Sequence, residues 1–381
     1  MKVVFVSLLI SLFCFCTNAQ QTLYNSIPHD SLVREYIVYI PASLANATYD
    51  VPILFVFHGY GAGNIQSFMN NKLNFKPIAD TAGCILVYPK GTRLFQNNSN
   101  SHHWNVGSWT SSSTSDDVGF IDALIDTLNT NYNIDPNRIY ATGHSNGGYF
   151  SFVLACRLSY RIAAIASSSG TMSLGTLNSC NPLHPTPVLQ IHGTSDNTVG
   201  YNGGSPGNSI SIASAIDYWT NYNNIASIPV VVSNLPNIVP TDGSTVELYE
   251  YGDNCVSVNH YKIIGGGHGI AGVNGNMDII ATEVIWDFVS KFDLNGLIDC
   301  GSVTTNEHIH KKNSIKIAPN PTRGFVTIET DLTKKLDYHI YSVTGKHIIS
   351  GEIDSNNKTI DLTKLPLSLI HISEPTRQWQ I

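Results

Sequence analysis

Charge is scarce in this sequence: only 13% of its 381 residues are Asp, Glu, Lys or Arg, while 42% are hydrophobic. A chain kept unfolded by its own charge is excluded, and material for a core is ample. Basic residues are fewer than acidic ones, 21 against 28, for a formal net charge of −7. The basic surplus that grips a phosphate backbone or an anionic membrane is missing, which argues against nucleic acid as a partner. Cysteine is sparse too, seven in all with no C-x-x-C pair, so neither a small disulfide scaffold nor a structural zinc site is expected. Long apolar runs are lacking as well. The run at residues 3–16 is too short to cross a bilayer as a helix. With Lys2 before it and Thr17-Asn18-Ala19 after it, residues 1–19 read as a secretory signal peptide cut after Ala19, leaving no transmembrane segment in the mature protein.

Five cysteines remain beyond that point: Cys84, Cys156, Cys180, Cys255 and Cys300. Their odd number leaves at least one without a partner in the chain. A Cys156–Cys180 bridge fits an oxidising exterior, since only a short αβ segment separates the two, and Cys84, inside the apolar run 84–88, is expected as a buried thiol. His102-His103 and His308-x-His310 carry metal-ligand chemistry but lie in polar loops. They are read as loop residues, and no metal is expected.

Short apolar runs at residues 35–40, 53–57, 84–88, 138–142, 162–166, 188–191 and 260–264 alternate with helical stretches. Strands apolar on both faces and separated by helices predict an α/β fold, a mostly parallel sheet covered on both sides. One helix is expected to start at Asp116-Asp117, with Ile121, Leu124, Ile125 and Leu128 on one face. Another is expected over 278–292. This first domain spans 20–298, and the polar stretch 299–313 reads as a linker. Residues 314–369 then show period-two runs broken by Asn, Pro, Gly and Asp, the pattern of a small antiparallel β-sandwich. In the tail 370–381 the alternation stops and Pro375 argues against a further strand, so the tail reads as aberrant and the sandwich as truncated.

The chemistry centres on Gly143-His144-Ser145-Asn146-Gly147, directly after an expected strand and before a helical stretch. G-x-S-x-G in that setting is a nucleophile elbow, a tight turn that lifts the Ser145 hydroxyl above the sheet. A serine hydroxyl needs a base, and the base needs a carboxylate to fix its tautomer. Asp196 follows the apolar strand 188–191 and is the expected acid; Asp253, also after a strand-like run, is the alternative. His268, in Gly265-Gly266-Gly267-His268-Gly269, follows both and is the expected base, whereas His144 and His192 are read as local packing residues. The tetrahedral oxyanion needs two backbone donors. Asn146 N–H supplies one, and Tyr60 in Phe57-His58-Gly59-Tyr60-Gly61 supplies the other, with Gly59 or Gly61 as alternatives. Trp104 and Trp109, in the Asn- and Ser-rich stretch 93–115, are read as cleft-lining substrate-binding residues or as local packing.

These phrases, with Asp116-Asp117-Val118-Gly119-Phe120, Ile134-Asp135-Pro136-Asn137-Arg138 and Ile191-His192-Gly193-Thr194, resemble the polyhydroxybutyrate depolymerase and feruloyl esterase group of α/β-hydrolases, which overlaps carbohydrate esterase family one. The resemblance implies a secreted serine esterase without metal or organic cofactor, acting on a polymeric or polysaccharide-linked ester. The polar, Trp-bearing stretch favours feruloyl or acetyl esters of plant polysaccharide over polyhydroxybutyrate. A catalytically silent carbohydrate-binding protein on the same scaffold, and a peptidase sharing the triad, are the rival readings. Where the group usually reads Thr-Trp-Pro-Gly after the base, this chain has Gly269-Ile270-Ala271-Gly272, which removes an aromatic from beside the site. Further on, Ile317-Ala318-Pro319-Asn320-Pro321-Thr322, Tyr341-Ser342-Val343-Thr344-Gly345-Lys346 and Ile360-Asp361-Leu362-Thr363 resemble the C-terminal sorting domain of the type IX secretion system. That implies the type IX machinery as a partner and an extracellular or cell-surface location.

Overall fold

Residues Val51–Phe57 are apolar throughout, and all seven are buried. A strand with no polar face has to be covered on both sides, as in the middle of a parallel sheet. The computed structural model describes residues 20–44, 47–96, 99–252, 255–298 and 300, then 316–318, 324–329, 335–341, 347–354 and 358–363. The expected signal segment 1–19, the linker 299–313 apart from Cys300, the tail 370–381, and Asp253, His308 and His310 lie outside the described residues. The chain divides into two compact units, Met1–Gly301 and Ser302–Ile381.

In chain order the first unit has β1 (Gln21–His29), β2 (Leu32–Ile40), β3 (Val51–Phe57), β4 (Ile85–Pro89), the hairpin β5 (Thr92–Gln96) and β6 (Ser99–His103), β7 (Ile134–His144), β8 (Ala164–Ser168), β9 (Val188–Gly193), β10 (Val231–Asn234), β11 (Thr245–Tyr251) and β12 (Val258–Ile264). All but the hairpin form a ten-stranded sheet in the order β1-β2-β4-β3-β7-β8-β9-β12-β11-β10. The run from β4 to β12 is parallel, and antiparallel pairs extend it at both ends. This is the expected α/β-hydrolase arrangement.

Helices α1 (Ile65–Asn71), α2 (Lys76–Ala82), α3 (Asp117–Asn131), α4 (Asn146–Arg157), α5 (Leu174–Asn178), α6 (Ile212–Tyr222) and α7 (Ala281–Val289) accompany the sheet. The two-residue period of β3 sorts the core. Phe55 and Phe57 pack with buried residues of α3, α4 and α6 on one face, and Leu54 and Val56 with those of α1, α2 and α7 on the other. The last helix is shorter than the expected 278–292. Asp278 accepts hydrogen bonds from the backbone of Ile238 and Val239, which ties it to a loop instead of the helix start.

Disulfides join Cys156 to Cys180 and Cys255 to Cys300, and Cys84 is a free, buried thiol. The first bridge fastens the last turn of α4 to the segment after α5. In the second unit, Lys316–Ala318, Phe325–Glu329 and Thr359–Asp361 form one antiparallel sheet, and Leu336–Tyr341 pairs with His347–Ile353 in another. Val326, Ile328, Ile353, Ile360 and Leu362 make a core that both sheets share.

A buried ion pair fixes α3 to the sheet. Arg34 of β2 donates to Asp117 Oδ1 at 2.6 Å, with 3% and 1% of the two side chains exposed, and its guanidinium lies 4.0 Å above the Phe120 ring. Asp117 Oδ2 accepts from Asn105 N–H, and Asp116 caps the helix by accepting from Gly119 N–H. Arg34→Met leaves a carboxylate buried without its cation. The expected result is a loss of about 3–5 kcal/mol of unfolding free energy, read from the midpoint of urea denaturation at neutral pH.

Candidate active site

The elbow between β7 and α4 is as tight as its glycines allow. A Cβ on Gly147 would stand 2.2 Å from the Phe57 carbonyl oxygen, and one on Gly143 2.7 Å from the same atom. No other residue fits either place, because the turn is pressed against the end of β3. Between them Ser145 has φ 55° and ψ −120°, a left-handed conformation that costs a non-glycine residue energy and that the packing enforces. Its N–H is anchored on Ser168 O at 2.8 Å.

Asp196 stands after β9 and His268 after β12, both at the carboxyl edge of the parallel strands, as Ser145 is. The two loops are pinned together by Ser195 N–H on Gly266 O and Gly265 N–H on Thr194 Oγ1, each 2.9 Å. His268 Nδ1 lies 2.7 Å from Asp196 Oδ2, and His268 Nε2 lies 2.9 Å from Ser145 Oγ. An ionised carboxylate only accepts, so Nδ1 carries the proton and Nε2 is left to accept from the serine hydroxyl. Burial works against a charge on Asp196, but hydrogen bonds from His268 and from the Val199 N–H outweigh it and hold the carboxyl below its ordinary value. Thr198 N–H and Val199 N–H both donate to Oδ1 at 2.8 Å. The arrangement can take a proton from a serine hydroxyl and stabilise the imidazolium that results.

Of the three backbone donors considered after β3, Gly61 is spent: its N–H donates to His102 O at 2.8 Å. Among the described residues Tyr60 N–H has no protein acceptor, and Asn146 N–H is one of the donors left open at the start of α4. His58 sets the loop. Its Nε2 accepts from Gly91 N–H at 3.0 Å, so its Nδ1 holds the proton and donates to Gly59 O at 2.7 Å.

Trp104 does not line a cleft. Its indole is fully buried, stacked on Phe150 at 4.9 Å and edge-on to Phe57 at 5.1 Å, because the hairpin β5–β6 delivers it beneath the elbow rather than beside it. Its Nε1–H donates to His58 O at 3.1 Å, while the Asn146 side chain accepts from Trp104 N–H at 2.7 Å and donates to Trp104 O at 3.1 Å. One residue thus clamps the two segments that carry Tyr60 N–H and Asn146 N–H. Trp109 is half-buried between Tyr60 and Tyr149, with ring centroids 5.7 and 5.8 Å away. His102 and His103 bond to the Gly91 and Thr92 carbonyls, and His103 also to Ser113 Oγ.

A pocket of 230 Å³ opens onto Ser145 and His268. Phe68 of α1 and Lys72 just beyond its end, with Gly59, Tyr60, Ala62, His144, Ile270 and Asn274, form the rest of its wall. Sequence reasoning missed Phe68 and Lys72, since neither carries a local signal. Ile270 had one: it stands in the stretch where the resembling group has a tryptophan, and it contributes an aliphatic surface.

Residues 45–222 match the phospholipase/carboxylesterase family, and residues 316–367 match the secretion system C-terminal sorting domain. Over residues 45–222 the chain is similar to that phospholipase/carboxylesterase family. Ser145 and Asp196 fall within the matched segment and His268 follows it. The chain is 26% identical over 265 residues to a bifunctional acetylxylan esterase/xylanase of Neocallimastix patriciarum, covering 69% of this chain and 34% of that protein. It is 34% identical over 200 residues to feruloyl esterase B of Piromyces equi, covering 50% and 34%. A poly(3-hydroxybutyrate) depolymerase of Ralstonia pickettii is 31% identical over 124 residues, covering 31% and 25%. The chain spans about one third of the length of the first two relatives.

The first unit also buries histidines that stand outside the hydrogen-bonded series Asp196, His268 and Ser145. His58, fully buried, is pushed down to about 4, mainly by burial. His260 is 3% exposed, bonded to Gln190 O and to Tyr201 OH, and pushed down to about 3 for the same reason. Above the ordinary value of 6.5 these histidines are neutral whether the chain is folded or not. Below it the unfolded chain takes up protons that the folded one refuses, so stability falls as pH falls toward 4, by about 1.4 kcal/mol per pH unit for each histidine. Urea denaturation at pH 7 and pH 5 is expected to show the loss, and the slope is expected to be shallower in a folded His260→Gln variant.

Proposed function

We propose that the protein is a secreted serine esterase. The observation that carries this reading is the relay from Asp196 through His268 to Ser145, with the serine held at φ 55°. In the proposed reaction His268 Nε2 takes the hydroxyl proton as Ser145 Oγ attacks the ester carbonyl. Negative charge moves to the carbonyl oxygen, where Tyr60 N–H and Asn146 N–H receive it. His268 returns the proton to the departing alcohol, leaving an acyl-serine. A water molecule, deprotonated by the same imidazole, then releases the acid and restores the hydroxyl. Asp196 remains ionised throughout and keeps the histidine in its working tautomer.

As substrates we propose acetyl or hydroxycinnamoyl esters on plant polysaccharide. Relatives named for acetylxylan esterase and feruloyl esterase activity support this choice. So does the pocket, whose 230 Å³ suits a short acyl or a single phenolic ring, with Phe68, Ala62 and Ile270 for apolar contact and Asn274 for a polar one. The assembled relay favours turnover over a silent binding protein. The C-terminal sorting domain supports export by the type IX machinery to the cell surface or beyond. Among the described residues no helix is long and apolar enough to cross a membrane.

The purified enzyme is expected to release acetate from acetylated xylan and ferulate from methyl ferulate or feruloylated xylan. Ser145→Ala is expected to lower kcat at least about a thousandfold with the circular dichroism spectrum unchanged. Full activity in the folded variant refutes the nucleophile. Release of hydroxybutyrate oligomers from amorphous polyhydroxybutyrate, with neither acetate nor ferulate released, moves the substrate to polyester and leaves the relay standing.

A further inference from the structure

A second depression, 760 Å³ in volume, is lined by none of Ser145, His268 and Asp196. Tyr24, Asn25 and Ser26 of β1 and Glu35 of β2 form one side, and Gln66 at the start of α1, with Lys90 after β4, forms the other. The lining crosses from β1 to β2 and on to α1, so the groove lies over the sheet and not along the open edge of β1. Its chemistry is specific. Tyr24 is 58% exposed, a large ring left in water on a strand that has a covered side available. On that same face Ser26 adds a hydroxyl and Gln66 an exposed amide, each able to donate and accept, whereas Asn25, paired with Tyr36, turns its side chain to the opposite face of the strand. Glu35 and Lys90, the only charged side chains in the lining, pair with each other, so the groove is formally neutral.

An aromatic face beside a hydroxyl, an amide and a closed ion pair matches a sugar chain, whose rings present C–H faces to stack and hydroxyl rims to hydrogen-bond. A peptide strand would instead use the free backbone edge of β1. The groove also adjoins the catalytic pocket. Gly63 lines the groove and Ala62 lines the pocket, while along α1 Gln66 faces the one and Phe68 the other.

We propose that this groove is a docking site for a stretch of neutral polysaccharide main chain, distinct from the site at Ser145, which holds the polymer so that its ester substituents reach the catalytic pocket. The second half of that statement rests on the esterase reading, and the first half does not. Binding is therefore measured in the full chain carrying Ser145→Ala, by affinity electrophoresis in gels with and without soluble neutral arabinoxylan. Retardation by the polysaccharide is expected, weakened about tenfold in apparent affinity by Tyr24→Ala and by Gln66→Ala, two exposed positions outside the catalytic machinery. In the active enzyme, Tyr24→Ala is expected to lower kcat/KM on acetylated xylan about tenfold and to leave p-nitrophenyl acetate hydrolysis within about twofold. No retardation, or retardation indifferent to both substitutions in folded protein, overturns the docking site. So does a concentration-dependent dimer, seen by light scattering, that Tyr24→Ala abolishes, since the groove would then serve a second copy of the chain. An enzyme inert on every ester but retarded through Tyr24 refutes the esterase reading and keeps the groove.

Discussion

The carbonyl of Phe57 and the backbone of Gly143 and Gly147 compete for one small volume, and the rest of the site follows from how that competition is resolved. Without side chains at 143 and 147, the end of β7 and the first turn of α4 can close against the end of β3. That contact forces Ser145 into its left-handed conformation and brings the loop after β3 alongside it. The proposed nucleophile and the proposed oxyanion donors are thus set by one packing event. The strain at Ser145 is sustained by the buried parallel strands on either side, which have no freedom to relax it.

Closeness alone does not fix the direction of an N–H group, and Trp104 supplies what the glycines cannot. Its side chain reaches the His58 carbonyl, and its main chain is held twice by the Asn146 side chain. The loop bearing Tyr60 and the helix bearing Asn146 are therefore tied through a third segment rather than directly. Burying a tryptophan here serves two ends, since the ring fills space between Phe57 and Phe150 while its N–H and backbone set the register of both loops. His58 adds a further restraint on the same loop from the opposite side, through Gly91 and the Gly59 carbonyl.

Much of this was legible in the sequence because buried strands leave a strong mark. The runs containing Val51–Phe57 and Val188–Gly193 could only be central strands, and residues just beyond their carboxyl ends, Tyr60 and Asp196, inherit positions at the site edge from topology alone. His268 was legible for the same reason. Other features left no such mark. The outermost strand β1, mostly exposed, alternates too weakly to read as a strand. Phe68 and Lys72 reach the site only because α1 folds back over it. Trp104 was left between cleft lining and local packing because composition shows that a loop is polar but not which of its side chains turns inward. The Cys255–Cys300 bridge spans 45 residues, and that pairing is decided by tertiary contact instead of spacing.

The surroundings of His268 bear on how one histidine among several would be kept for proton transfer in the proposed reaction. His144 lies 5.0 Å from it, ring to ring, and His192 lies 3.4 Å from the carboxylate that it uses. A second positive charge at either place would oppose the imidazolium that the proposed reaction forms on His268, and a proton on His192 would compete for Asp196. Both are prevented by the same means. Burial drives the His144 and His192 imidazoles toward the neutral form, and the His192 Nε2–H is directed to the Val199 carbonyl at 2.8 Å. His268 alone of the three combines a bond to the Asp196 carboxylate with a bond to Ser145 Oγ. The neighbouring imidazoles are therefore held neutral, and in the proposed reaction charge separation in the pocket is confined to the line from Asp196 to Ser145.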